Sequence, residues 1–290
     1  CDKNLEDKDV MADLEQIKGN QEEIYDRFYR ELEFGTAGLR GVLGAGTNRM
    51  NIYTVRKATQ GFANYLIKNN KSKGIAIAYD SRIKSDVFAK EAACVLAANG
   101  IKVYLYKELM PTPALSFAVR DLHCDAGIVV TASHNPAKYN GYKVYGSDGC
   151  QLDVEDANQV LAEIVKLDIF SDIKLIGFES AMSTNLIEYI GEDLIDRFIE
   201  AVKAQEIVPG ACAKANLKVV YTPLNGAGNR CVREILKRIG VSDVTVVKSQ
   251  EMPDGNFPTC PYPNPEIREA LNEGLNVCEE VGPDLLLATD

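Results

Sequence analysis

The sequence predicts an α/β protein of two consecutive domains, each a mixed or largely parallel sheet covered by helices. Three observations carry this expectation. Strand-length apolar runs alternate with segments of helical period along the chain. The 290 residues and 46% hydrophobic content suffice for two cores. A polar stretch, Glu179–Asn185, interrupts the alternation, which then starts again. The boundary is therefore placed there, giving units 1–185 and 186–290.

The elements follow in order. Residues 20–34 space Ile24, Phe28 and Leu32 as one helical face, closed by Gly35. Val55, Ala58, Phe62 and Leu66 predict a helix over Thr54–Asn70. Gly74–Tyr79 reads as a buried strand, and Ser85 as the N-cap of a helix to Asn99 with Gly100 past its end. Strand Ile101–Tyr106, helix Ala114–Val119, strand Gly127–Thr131, strand Tyr142–Tyr145 and helix Val154–Leu167 complete the first unit. The second repeats the pattern: helix Leu194–Lys203, strand Leu217–Tyr221, helix Asn229–Ile239, strand Val244–Val247, helix Glu266–Val281 and strand Asp284–Thr289. Its loop Met252–Pro265 is too rich in proline for regular structure, and loops of that length in compact domains usually serve function or an interface.

Composition excludes several classes. A net charge of −10 argues against nucleic acid as a partner, since such proteins carry a basic stripe. No run approaches the roughly 20 apolar residues of a membrane span, and the acidic first thirty residues do not read as a secretory signal. Eight cysteines without Cys-x-x-Cys spacing read as reduced thiols of a cytoplasmic protein. With only His123 and His134, a histidine-rich zinc site is excluded.

One segment concentrates chemistry. The apolar run Gly127–Thr131 delivers Ser133 just past the carboxyl end of a strand, the favoured place for a site in such sheets. In Thr131-Ala132-Ser133-His134-Asn135-Pro136 the proline blocks a helix, so the serine is presented on a loop. Lys143 follows in a strand that can fold back towards it, as an activating cation for a weak nucleophile. A serine hydrolase would want Gly-x-Ser-x-Gly, whereas Ala132 and His134 flank this serine.

Three further features bear on a site. Gly35-Thr36-Ala37-Gly38-Leu39-Arg40-Gly41 joins a glycine-rich loop to an arginine able to hold a phosphate by two parallel hydrogen bonds. Asp80 and Arg82 read either as an ion pair steadying the loop around Ser133 or as a plain surface pair. Thr222–Gly228 lacks the third glycine of a dinucleotide fingerprint and reads as structural or inter-domain.

Taken together, these motifs resemble the α-D-phosphohexomutases, the phosphoglucomutase and phosphomannomutase superfamily, almost end to end. The hexapeptide around Ser133 is similar to the family's phosphoserine loop, Lys143 to the lysine assisting that serine, and Arg40 to its N-terminal phosphate contact. Asp290 looks like the first aspartate of the metal loop. Pro253–Pro258 and Tyr262–Glu266 resemble the phosphoglucomutase-2 branch. The resemblance implies catalytic roles for Ser133, His134, Lys143 and Arg40. It also implies phosphate binding by Arg40, Lys143 and Asn135, and Mg²⁺ held by Ser133 and Asp290. The implied reaction interconverts sugar 1- and 6-phosphates, most plainly of glucose, with a sugar 1,6-bisphosphate as activator and a small phosphosugar as the partner. Phosphomannomutase, phosphopentomutase and a catalytically dead scaffold are the rival readings, and either Lys143 or His134 handles the hydroxyl proton. On this reading the chain is an N-terminal fragment, the first two of four domains, cut at the start of the metal loop and inactive alone. Oligomeric state is not legible.

Overall fold

The computed structural model describes residues 5–36 and 38–290. Helices α1 (Lys8–Gln16) and α2 (Gln21–Phe28) precede strand β1 (Leu39–Val42). Then come α3 (Ile52–Lys68), β2 (Ile75–Tyr79), α4 (Ser85–Ala98), β3 (Val103–Tyr106), α5 (Thr112–Asp121), β4 (Ala126–Val130) and β5 (Tyr139–Gly146). Helices α6 (Val154–Ile164) and α7 (Phe178–Ser183), strand β6 (Ile187–Ile190) and helix α8 (Glu192–Lys203) follow. The remainder comprises α9 (Ala211–Ala215), β7 (Lys218–Thr222), α10 (Asn229–Arg238), β8 (Asp243–Val246), α11 (Lys248–Glu251), a 3-10 turn Arg268–Leu271, α12 (Asn272–Val281) and β9 (Leu285–Ala288).

The first sheet runs β1-β5-β4-β2-β3-β6. Strands β4, β2, β3 and β6 are parallel, while β5 pairs antiparallel with both β4 and β1. Alternation along the strands splits their side chains between two cores. Ile75, Ile77, Ile128 and Val130 enter the core shared with α3 and α4, whereas Ala76, Ala78 and Val129 enter the one shared with α5 and α8. Each fully buried Ile or Val of this kind contributes roughly 1.5–3 kcal/mol, so the sheet holds its own carboxyl edge rigid. The second sheet, β8-β7-β9, is wholly parallel. Helix α10 of this unit inserts Cys231 into the core beneath α5 and α8, which joins the two units.

The structure corrects several expectations. Helix α2 stops at Phe28 instead of running to 34, because none of its residues is buried and the Leu32 amide donates instead to the Thr47 carbonyl at 2.9 Å. Ser85 does not cap α4: Lys84 takes that position with φ of +66°, and the Ser85 hydroxyl donates to Asp80. Arg40 lies on a strand, β1, and not in a loop, since β5 offers its free edge to Leu39–Val42. The boundary at 185/186 puts β6 in the second unit, yet β6 hydrogen-bonds to β3 in the first sheet. Seven described cysteines, Cys94 to Cys278, are free thiols. Among the described residues no helix is long and apolar enough to cross a membrane.

Candidate active site

The carboxyl ends of β2 and β4 in the first sheet converge with those of β7 and β9 in the second. Together with the start of α5 they enclose a cavity of about 120 Å³ lined by Asp80, Thr112, Thr131, Ser133, Gly226, Phe257 and Asp290. A larger cleft of about 1260 Å³ opens between α8 and α10, but Ser133, Asp290, Arg40 and Lys143 are not among its lining residues. Ser133 and Asp290 line the smaller cavity, whereas Arg40 and Lys143 line neither.

Ser133 is built into its position by short-range hydrogen bonds. Past β4 the Thr131 amide still donates to the Gly141 carbonyl at 3.0 Å, holding the loop to β5. The Thr131 Oγ1 accepts from the Ser133 amide at 2.9 Å, and the Asn135 amide donates to the Ala132 carbonyl at 3.2 Å. Ser133 itself has φ of +53°, a left-handed conformation that a non-glycine residue holds only where its surroundings impose it. That turn aims Oγ at the second unit: it donates to Asp290 Oδ2 at 2.8 Å. His134 Nδ1 lies 3.3 Å from the same Oγ and 3.6 Å from Asp290 Oδ2. Residues 157 positions apart thus meet at one oxygen.

Arg40 and Lys143 share one face of the sheet. Leu39 pairs with Tyr142, both in the α3-side core, so Arg40 and its partner Gly141 lie on the opposite face with Lys143. Burial lowers the Lys143 amine below its ordinary value, and the Arg40 charge lowers it further, against the pull of Asp290 and Asp80. Among the described residues neither cation has a carboxylate at ion-pair distance, so both are available to an anion. The glycine loop that leads into β1 presses against β5. Gly38 has φ of +75°, and a Cβ there would stand 1.9 Å from the Tyr142 carbonyl oxygen. Asn135 enters the arrangement through its backbone, with its carbonyl turned towards Arg82.

The Asp80–Arg82 pair is present, with Arg82 Nε 3.5 Å from Asp80 Oδ2. Burial raises the Asp80 carboxyl, while hydrogen bonds from Thr131, Arg82 and Ser85 oppose the shift. Sequence reasoning gave no role to Asn140, which is fully buried and donates to the Ile83 carbonyl and Ser85 Oγ while accepting from the Gly141 amide. A polar residue between an aromatic strand position and a glycine was the available signal. The loop Met252–Pro265 lies at the interface, with Gly255 against the backbone of Ser81–Ile83. The Thr222–Gly228 loop also reaches the site, because Gly226 packs on the Asp290 backbone.

Among the described residues there is no cluster of three or more His, Cys, Asp or Glu that could hold a metal. What exists is a pair of hard oxygen donors, Ser133 Oγ and a 40% exposed Asp290 carboxylate. That set suits Mg²⁺, which usually takes one or two carboxylates, keeps waters and completes its shell with phosphate oxygens.

The chain as a whole is similar to known proteins. Residues 31–169 match the profile of phosphoglucomutase/phosphomannomutase, alpha/beta/alpha domain I, and residues 196–290 match domain II. The phosphoglucomutase of Staphylococcus haemolyticus is 38% identical over 263 residues, 91% of this chain and 47% of that protein. The Staphylococcus epidermidis phosphoglucomutase is 38% identical over 269 residues, 93% of this chain and 48% of that protein. A crystal structure from Thermus thermophilus, provisionally named a phosphomannomutase, superposes with a TM-score of 0.76 at 27% identity, covering 90% of this chain and 55% of that one. The chain spans about half the length of the curated relatives it matches.

Proposed function

This chain belongs to the phosphoglucomutase/phosphomannomutase family, and from that premise we propose that it carries the phosphoserine centre of a phosphosugar mutase, with glucose phosphates as substrate. The observation that carries the reading is Ser133: a hydroxyl on a constrained left-handed turn, hydrogen-bonded to Asp290, beside two cations without internal partners among the described residues. The choice of glucose rests on the relatives of 38% identity named phosphoglucomutase.

On this reading phospho-Ser133 donates its phosphoryl group to a free hydroxyl of a sugar monophosphate. The phosphorus–oxygen bond to serine breaks as the bond to the sugar oxygen forms; the sugar hydroxyl proton passes to a protein base, and the leaving Ser133 Oγ takes up a proton to become the free hydroxyl. The bisphosphate turns over in the site and its other phosphate returns to Ser133. Such a transfer depends on positioning and charge neutralisation more than on covalent assistance. Arg40 and Lys143 meet the three phosphoryl oxygens from one face. Either His134, with Nδ1 3.3 Å from Oγ, or Lys143, whose amine is held below its ordinary pKa by burial and the Arg40 charge, takes the sugar hydroxyl proton. Ser133 and Asp290 would hold Mg²⁺, which, when bound, neutralises developing charge on the transferring group.

The test is phosphopeptide analysis of the intact protein after incubation with glucose 1,6-bisphosphate and Mg²⁺. Phosphate is expected on Ser133, and near-normal mutase activity in Ser133→Ala would sink the proposal.

A further inference from the structure

The guanidinium of Arg82 has no water-facing role: its side chain is 1% exposed, and all five of its N–H donors point at the serine loop. Nε donates to the Ser133 carbonyl at 3.1 Å, and Nη2 to the Ser133 and Asn135 carbonyls. Nη1 donates to the carbonyls of Pro136 at 3.1 Å and Tyr139 at 3.0 Å. Four backbone oxygens, three in the serine loop and one at the first residue of β5, therefore converge on one planar fork, which a lysine ammonium with its compact charge and three donors cannot replace. Asp80 holds the arginine from behind and accepts from its backbone amide at 2.9 Å. The remaining side of Arg82 is closed by the second unit. The Phe257 ring lies 5.2 Å from the guanidinium carbon, and Phe257 is itself buried. Gly255, two residues before it, sits so close to Ser81–Ile83 that a Cβ would stand 2.5 Å from the Ile83 amide nitrogen.

We propose that Arg82 is a positioning residue that sets the left-handed turn of Ser133, and that Phe257 is the seal through which the second unit controls it. A carbonyl pulled towards a buried cation cannot rotate freely, so the grip on the Ser133 carbonyl fixes where Oγ points. Because the seal belongs to the second unit, docking of that unit excludes water from the fork and tightens the serine loop. The catalytic part of this inference rests on the mutase reading above; the mechanical part does not.

The experiment uses the intact protein with Arg82→Lys, Arg82→Ala and Phe257→Leu, the last keeping apolar bulk without a ring face. Amide hydrogen exchange over 133–139 is expected to quicken about tenfold in Phe257→Leu, with other segments unchanged. With glucose 1-phosphate as probe, kcat should fall on the order of 10²-fold in Arg82→Lys while KM holds, since a misplacement of about 1 Å costs that much. Millimolar guanidinium should restore part of the rate of Arg82→Ala, which a residue needed only for folding would not permit. Unchanged exchange over 133–139 in both Arg82→Lys and Phe257→Leu overturns the proposal, as does wild-type kcat in Arg82→Lys. If wild-type protein takes no phosphate on Ser133, the mutase reading fails, and the exchange result alone then decides for or against the brace.

Discussion

Replacing Gly38 by alanine tests whether the approach of the glycine loop to β5 sets the position of Arg40. In the structure Gly38 has φ of +75°, and an added Cβ would stand 1.9 Å from the Tyr142 carbonyl oxygen and 2.9 Å from the Lys143 Cα. Both obstacles are backbone within a paired strand, so neither can swing aside. A real Cβ keeps at least about 3 Å from such atoms, so the loop must retreat by roughly 1 Å. The left-handed conformation alone costs an alanine about 1–2 kcal/mol. Two penalties follow. A domain of this size loses about 2–4 °C of melting temperature per kcal/mol, so the strain lowers the midpoint by about 2–8 °C. Arg40, two residues on, moves with the loop, and a shift of about 1 Å costs on the order of 10²-fold in rate. Gly35→Ala is the control, for nothing lies within 4 Å of where its Cβ would stand and its backbone lies outside the positive-φ region. Calorimetry of both variants and steady-state mutase assays of the intact protein read the two effects. A Gly38→Ala protein that melts with Gly35→Ala and turns over at the wild-type rate would refute the steric argument.

Further outcomes follow from the same geometry. Lys143→Met should lower kcat by about 10²–10³-fold with little change in KM, as expected for a cation aimed at developing charge; a change in KM alone reassigns Lys143 to substrate binding. Burial and Arg40 hold the Lys143 amine below its ordinary 10.5, so the unfolded chain binds that proton more tightly. Folded stability therefore rises with pH between the lowered value and 10.5, and the penalty is present in full below it. Melting of Lys143→Met should exceed wild type near neutral pH, with the advantage shrinking towards pH 10.5, and a pH-independent difference contradicts the assignment. Asp290→Asn keeps an acceptor for the Ser133 hydroxyl but removes the charge, so Mg²⁺ should be needed at higher concentration for the same rate. An unaltered Mg²⁺ dependence removes Asp290 from the metal site.

How much of this is legible in the sequence depends on how local each cause is. The strand run Gly127–Thr131 and the proline at 136 act within a few residues, so a serine presented at a strand end can be read from the sequence alone. The same holds for α3 and α4, whose apolar spacing covers several turns and overrides ambiguity at the ends. The family resemblance is equally local, because it lives in contiguous motifs. What tertiary structure decided were pairings between distant segments. Four residues around Arg40 became β1 only because β5 had an unpaired edge, and β6 joined the first sheet because β3 did. Arg82 could be paired with Asp80 on sequence, two positions away, but its four carbonyl acceptors lie beyond residue 130, and the ring that seals it lies in the other unit. Backbone carbonyls leave no trace in a sequence, since every residue carries one. The convergence on Arg82, and with it the turn at Ser133, became visible only once both sheets were folded with their carboxyl ends facing one another.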